Sequence, residues 1–195
     1  MRRAVLNLFA AVLITTAAWG QGSEWQIDPA HTTVGFTVRH LGISNVHGRF
    51  TKVSGSATVD DRDLTKSTVN ATMDVASINT GNDGRDNDLR SPNYFDAAQF
   101  PNMTFKSKSI TKNGDNKLKL VGDLTIKGVT KEVTLDVDGP SAPMKMGPNQ
   151  RRGLSATTSV NRKDFGVGAK APAAMIREEI KIDLDVELTQ KAAGQ

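Results

Sequence analysis

Ile180-Lys-Ile-Asp-Leu-Asp-Val-Glu-Leu188 decides the fold. Apolar and charged residues alternate through it without a break. Period two is the spacing of a β-strand, whose successive side chains point to opposite faces. One apolar and one wet face is what an antiparallel sheet with a single buried side requires.

The same alternation recurs upstream. Val34, Phe36, Val38 and His40 share one face, and Gly55, Ala57 and Val59 share another. Val69, Ala71, Met73 and Val75 oppose Asn70, Thr72 and Asp74. Met103 and Phe105 open a run that continues weakly through Ile110 to the Asn113–Gly114 turn. Leu118, Leu120, Leu124 and Ile126 align, with Gly122 in the missing position. Val133, Leu135 and Val137 end at Gly139–Pro140, and Leu154, Ala156, Thr158 and Val160 form one more run. With Ile180–Leu188 that makes about eight strands, which fit a closed barrel or a two-sheet sandwich. Short connections predict pairing between sequence neighbours, and a barrel leaves no exposed edge. A barrel of this size can be filled by side chains or can hold one small ligand. Small inward residues (Gly35, Gly55, Ala57, Ala71, Gly122 and Ala156) predict room inside, unless they mark bulges or close strand approach. The reading is all-β: an eight-stranded antiparallel barrel.

The long break lies between Ile78 and Pro101. Asn79–Gly84 is turn-rich, and Arg85–Ser91 predicts one short helix halted by Pro92. Tyr94, Phe95 and Phe100 give this loop the weight to pack over a barrel mouth, and Ala171–Ile176 is a second, smaller cap.

The first twenty residues read as a delivery signal. Arg2 and Arg3 precede a nearly unbroken apolar run, Ala4–Ile14, and small residues follow, with cleavage expected after Ala18, Gly20 or Gly22. Residues 1–20 are thus expected to be a secretory signal and 21–195 one domain, periplasmic or secreted. Losing Arg2 and Arg3 lowers the formal net charge from +4 to +2. With 5% aromatic residues to stack bases, nucleic-acid binding has little support. The chain has no cysteine, which excludes disulfides, Cys-ligated zinc and a thiol nucleophile.

Catalytic patterns are missing as well. No G-x-S-x-G elbow, P-loop or G-x-G-x-x-G occurs. His31, His40 and His47 match no zinc or facial-triad spacing. His40 falls on the predicted inner face, either as a hydrogen-bonded core residue or facing a ligand; His31 sits in a turn and His47 reads as surface. Asp60, Asp61 and Asp63 lack EF-hand spacing and read as a solvated turn. Asp83, Asp86 and Asp88 alternate with Arg85 and Arg90, which predicts a local ion-pair lattice. Arg151–Arg152 and Arg162–Lys163 read as solvated outer faces. No catalytic residue, metal site or cofactor is assigned.

Seven segments, in order, resemble the YceI-like family of exported lipid-binding proteins. They are Trp25-Gln-Ile-Asp-Pro-Ala-His31, Val34-Gly-Phe-Thr-Val-Arg-His40, Val46-His-Gly-Arg-Phe50, Arg85-Asp-Asn-Asp-Leu-Arg-Ser-Pro-Asn-Tyr-Phe-Asp96, Phe100-Pro-Asn-Met-Thr-Phe105, Gly122-Asp-Leu-Thr-Ile-Lys-Gly128 and Asn161-Arg-Lys-Asp-Phe-Gly166. The resemblance implies a lipocalin-like barrel holding a polyisoprenoid lipid, such as an isoprenoid quinone or prenol, in its lumen. It is compatible with a homodimer and with at most transient membrane contact. The chain departs from the family in its long loop, where Asp88 stands at a place usually held by His and Asn93-Tyr94 replaces a common Asp-Phe.

Alternation and resemblance together nominate Phe36, Val38, His40, Met73, Val75, Phe105, Leu118, Leu120, Leu124, Ile126 and Leu154 as lumen-lining. Arg85, Asp88, Leu89, Tyr94 and Phe95 are the candidates for the mouth. Two other functions stay open: an interaction module with a filled barrel, and an enzyme acting on an isoprenoid lipid.

Overall fold

A computed structural model describes residues 22–191; the predicted signal at 1–20 lies outside them. The strands are β1 (Ser23–Ile27), β2 (Thr33–His40), β3 (Ser44–Phe50), β4 (Val53–Val59), β5 (Thr68–Asp74), β6 (Ile78–Asn79), β7 (Asn102–Lys112), β8 (Lys117–Ile126), β9 (Val129–Asp138), β10 (Met144–Met146), β11 (Asn149–Asn161) and β12 (Ile176–Lys191). One α-helix, α1 (Asp83–Arg90), fills the long break, and three 3-10 turns complete the chain.

These strands close into an eight-stranded antiparallel barrel. β1 and β2 are two halves of one bent strand: β2 pairs with β3, β1 pairs with β4, and both lie along β12. β4 pairs with β5, and the ladder runs on through β7, β8, β9 and β11. β11 then joins β12 over Asn149–Asn161, which shuts the ring. The first and last strands therefore meet, as closure of an up-and-down barrel demands. Each apolar run of the sequence falls on a different position of the ring. β3 and β4, paired with those two halves, occupy one further position together, and β1 and β3 are the segments that alternation did not reveal.

β3 was hidden because its inward face reads Val46, Gly48, Phe50, with a gap in the middle. Phe36 lies opposite Gly48 in the register and its ring covers the glycine, so no Cβ would fit there. Phe105 covers Gly122 in the same way. Gly122 therefore adds no room to the lumen, contrary to expectation. Gly55 sits against the Asn70 carbonyl and Ala71 Cα, a close approach of neighbouring strands rather than a void. Room comes from Ala57, Ala71 and Ala156 instead, all of which face the interior space, whereas Gly35 lies between the inward Val34 and Phe36 and is paired with Asp183 and Arg49 on the outer face.

Val75 also departs from expectation. β5 ends at Asp74, whose carboxylate accepts from the Ala76 N–H (2.9 Å) and starts a 3-10 turn over Val75–Ser77. The turn breaks the period-two pattern. Val75 is buried in the main core and is not among the side chains facing the lumen.

Candidate ligand-binding cavity

The barrel encloses a cavity of about 550 Å³, within the usual range for small-molecule sites. Phe36, Val38, His40, Met73, Phe105, Leu118, Leu120, Leu124, Ile126 and Leu154 face it, together with Arg85, Asp88, Leu89, Tyr94 and Phe95. The structure adds Val46 and Phe50 from β3, and Ile176, Ile180, Ile182, Leu184, Val186 and Leu188 from β12. The β12 set from Ile180 to Leu188 was legible in the opening alternation, since those residues share a single face; Ile176 lies beyond a register shift that precedes that set. Val46 and Phe50 were masked by Gly48. Asp88 is the one carboxylate among the lining residues; His40, Arg85 and Arg162 are the basic ones. No pair of carboxylates faces the lumen among the described residues.

The mouth is built around α1, and its sequence explains its placement. Asn82 caps the helix, its side-chain oxygen accepting from the Arg85 N–H (2.9 Å). Asp86 is buried and accepts from the Thr80 N–H (2.9 Å) and the Thr80 hydroxyl. Arg85 returns to the same residue, Nε donating to Thr80 Oγ1 (2.8 Å) and Nη2 to the Thr80 carbonyl (2.9 Å). Arg90 donates to the carbonyls of Ala76 and Ile78, both at 2.9 Å. The acidic and basic side chains of α1 thus grip the backbone on either side of β6. They do not form the expected ion-pair lattice; no salt bridge joins them among the described residues. Asp88 stays exposed at the rim. Burial pushes the Tyr94 phenol above its ordinary range, the Asp88 charge pushes it further, and Arg162 opposes both.

Arg162 was expected in solvent and is only 4% exposed. It opens a 3-10 turn that Asn161 caps and Gly166 ends, at φ +70. Its guanidinium donates to the carbonyls of Arg177 (3.2 Å), Val167 (3.0 Å), Ala171 (2.9 Å), Ile176 (3.0 Å) and Gly168. The second cap, at Ala171–Ile176, therefore hangs on one buried cation.

The opposite end of the barrel holds Arg152, also misread as solvated. It is 3% exposed and its guanidinium carbon lies 4.6 Å from the Trp25 ring centroid. Nη2 donates to Asp61 (2.8 Å), the residue read as part of a solvated turn, while Nε and Nη1 have no partner. The period-two register foretold this orientation, because Arg152 shares a face with Leu154 and Ala156. Trp25 is fully buried beneath it, its indole N–H donating to Ser23 Oγ (2.8 Å).

Outside the lumen, Asp28, His31 and Glu187 bring ligand-type atoms within 4.8 Å of one another. Arg151 already supplies the cation there, donating to Asp28 (2.8 Å) and to Glu187. His31 Nδ1 lies 3.0 Å from Asp28, and that bond foremost holds the Asp28 carboxyl below its usual range. The group is an ion-pair cluster at the β1–β2 bend. His47 is exposed as expected, bonded to the Thr37 hydroxyl (3.0 Å).

Comparison with known proteins agrees with this architecture. Residues 25–188 match the YceI-like domain family. The chain is 32% identical over 193 residues to Protein YceI of Escherichia coli O6:H1, covering 98% of this chain and 100% of that one. The crystal structure of a Campylobacter jejuni YCEI protein superposes with a TM-score of 0.72 at 34% identity, covering 85% of this chain and 96% of the other. A polyisoprenoid binding domain from Saccharophagus degradans, at 16% identity, shares the fold with a TM-score of 0.63 over 84% of this chain and 97% of that one. The sequence match, the cavity and the barrel lead to one conclusion: the chain belongs to the YceI-like family.

Proposed function

We propose that the protein binds and carries a long-chain polyisoprenoid lipid, of isoprenoid quinone or prenol type, in the barrel lumen. The observation that carries the reading is the cavity of about 550 Å³ walled almost wholly by aliphatic and aromatic side chains. Each CH₂ leaving water contributes roughly 0.8 kcal/mol. A preformed apolar tunnel supplies that burial without any catalytic group. The polyisoprenoid binding named for the Saccharophagus degradans domain supports the choice of ligand class. His40, Arg85, Asp88 and Tyr94 would orient the polar end of the lipid at the mouth; Phe36, Val38, Phe105, Leu118, Leu120, Leu124, Ile126 and Leu154 would clasp the chain. Export to the periplasm or beyond is part of the proposal and rests on residues 1–20. A binding role is favoured over catalysis because the described lining is almost wholly apolar and carries Asp88 as its one carboxylate. A filled-barrel interaction module is disfavoured by the cavity itself.

Titration with a fluorescent prenol analogue tests the reading. Saturable binding by the wild type, weakened at least about tenfold in Ala156→Phe, is expected, because the new ring takes up lumen volume. A folded wild type that never saturates with prenol or quinone would overturn it.

A further inference from the structure

The turn between β2 and β3 exposes two large aliphatic side chains, Leu41 at 49% and Ile43 at 77%. Leu41 takes φ +50, a conformation that Gly or Asn adopts at less cost than a bulky residue. A leucine held there keeps half its surface in water. Its N–H donates to the Met175 carbonyl (2.9 Å), which ties the turn to the second cap. Met175 is itself 50% exposed and also faces the cavity, as do the adjoining His40 and Ile176. The exposed patch is therefore continuous with the mouth.

The two chain segments that carry it hold basic side chains and no acidic ones, and Asp88 is the one carboxylate on the cavity lining. From Thr32 to Val59 there is no acidic residue, while Arg39, Arg49 and Lys52 are present. From Phe165 to Arg177 there is again none, while Lys170 and Arg177 are exposed. Arg39 folds under the turn, Nε donating to the Gly42 carbonyl (3.1 Å) and Nη1 to Asn45 (3.2 Å). An apolar tip backed by cations is the pattern that binds the surface of an anionic bilayer.

We propose that Leu41, Ile43 and Met175 dip into the headgroup boundary of an anionic membrane and set the cavity mouth against it, so that lipid passes between bilayer and lumen. This rests on the carrier reading for its purpose but not for its test. The full chain is floated with vesicles of phosphatidylcholine alone and of phosphatidylcholine with phosphatidylglycerol. Binding to the anionic vesicles is expected, weakened by salt and reduced at least about tenfold in Leu41→Asn/Ile43→Ser. Those two residues do not face the lumen, so binding of a soluble fluorescent prenol should be unchanged in the variant. Met144→Ser/Met146→Ser, in exposed β10 at the other end of the barrel, should float like the wild type. Wild type that does not float, or a tip variant that floats equally well, overturns the proposal. A tip variant that only turns a dimer into a monomer in sedimentation velocity reassigns the patch to a second copy of the chain and overturns it too. Flotation by protein that binds no prenol would contradict the carrier reading and leave the docking tip standing; prenol binding without flotation would do the reverse.

Discussion

Arg162 and Arg152 are both buried cations, one at each end of the same barrel, yet their surroundings differ in kind. Arg162 spends its donors on five main-chain carbonyls and so dictates the path of the segment that roofs the mouth. Arg152 sits over the Trp25 ring, reaches one half-exposed carboxylate and leaves Nε and Nη1 without partners. The first arginine replaces secondary structure where the chain has none. The second fills space at the end of a lumen already framed by strands. A buried cation that organises backbone is hard to replace; one that mainly occupies volume is not.

That contrast is open to direct attack. Arg162→Met takes the guanidinium away from five carbonyls, of which that of Gly168 keeps the Ala171 N–H, and a loss of about 3–5 kcal/mol is expected by urea denaturation. Asp86→Ala, which removes the buried one of α1's two holds on Thr80 and leaves that of Arg85, should cost about 1–3 kcal/mol and speed amide exchange across Asp83–Arg90. Arg152→Met should change stability by under about 1 kcal/mol in either direction, because methionine can lie along Trp25 and removes two unpaired donors. If Arg152→Met destabilises as much as Arg162→Met, the two ends are alike and the contrast fails.

The smallest expected effect concerns pH at the β1–β2 bend. Asp28 is held below its ordinary value of 3.8, first by the His31 hydrogen bond and then, after burial's opposing effect, by the Ala30 N–H and Arg151. A carboxyl depressed in the folded protein contributes stability above its unfolded pKa and loses it as pH falls through the folded value. Stability should therefore drop with pH below about 3.8 more steeply in the wild type than in Asp28→Asn. Parallel curves in acid would show that the cluster adds nothing.

The two ends also differ in how much the sequence reveals of them. Alternation marks the lumen because period two repeats around the ring, so Phe36, Met73, Leu120 and Leu154 could be placed from residue order alone. Aromatic–glycine pairing escapes that reading: Phe36 covers Gly48 across a ladder, and only the register brings them together. Val75 escapes it because Asp74 starts a 3-10 turn one residue before the pattern would have continued. The arginines escape it for opposite reasons. Arg152 obeyed the period and was set aside only because it is charged. Arg162 lies past the end of β11, where no periodicity applies and its partners are carbonyls contributed by residues up to Arg177. The docking tip is of the latter sort, since Leu41 and Ile43 sit in a turn.

The central claim is that the lumen holds an isoprenoid chain, and mass spectrometry of the organic extract of natively purified protein tests it most directly. A polyisoprenoid species recovered in near-stoichiometric amount from the wild type, and depleted in Ala156→Phe, is the predicted result. Extracts containing no isoprenoid, from protein that also fails to take up added quinone or prenol, would contradict it.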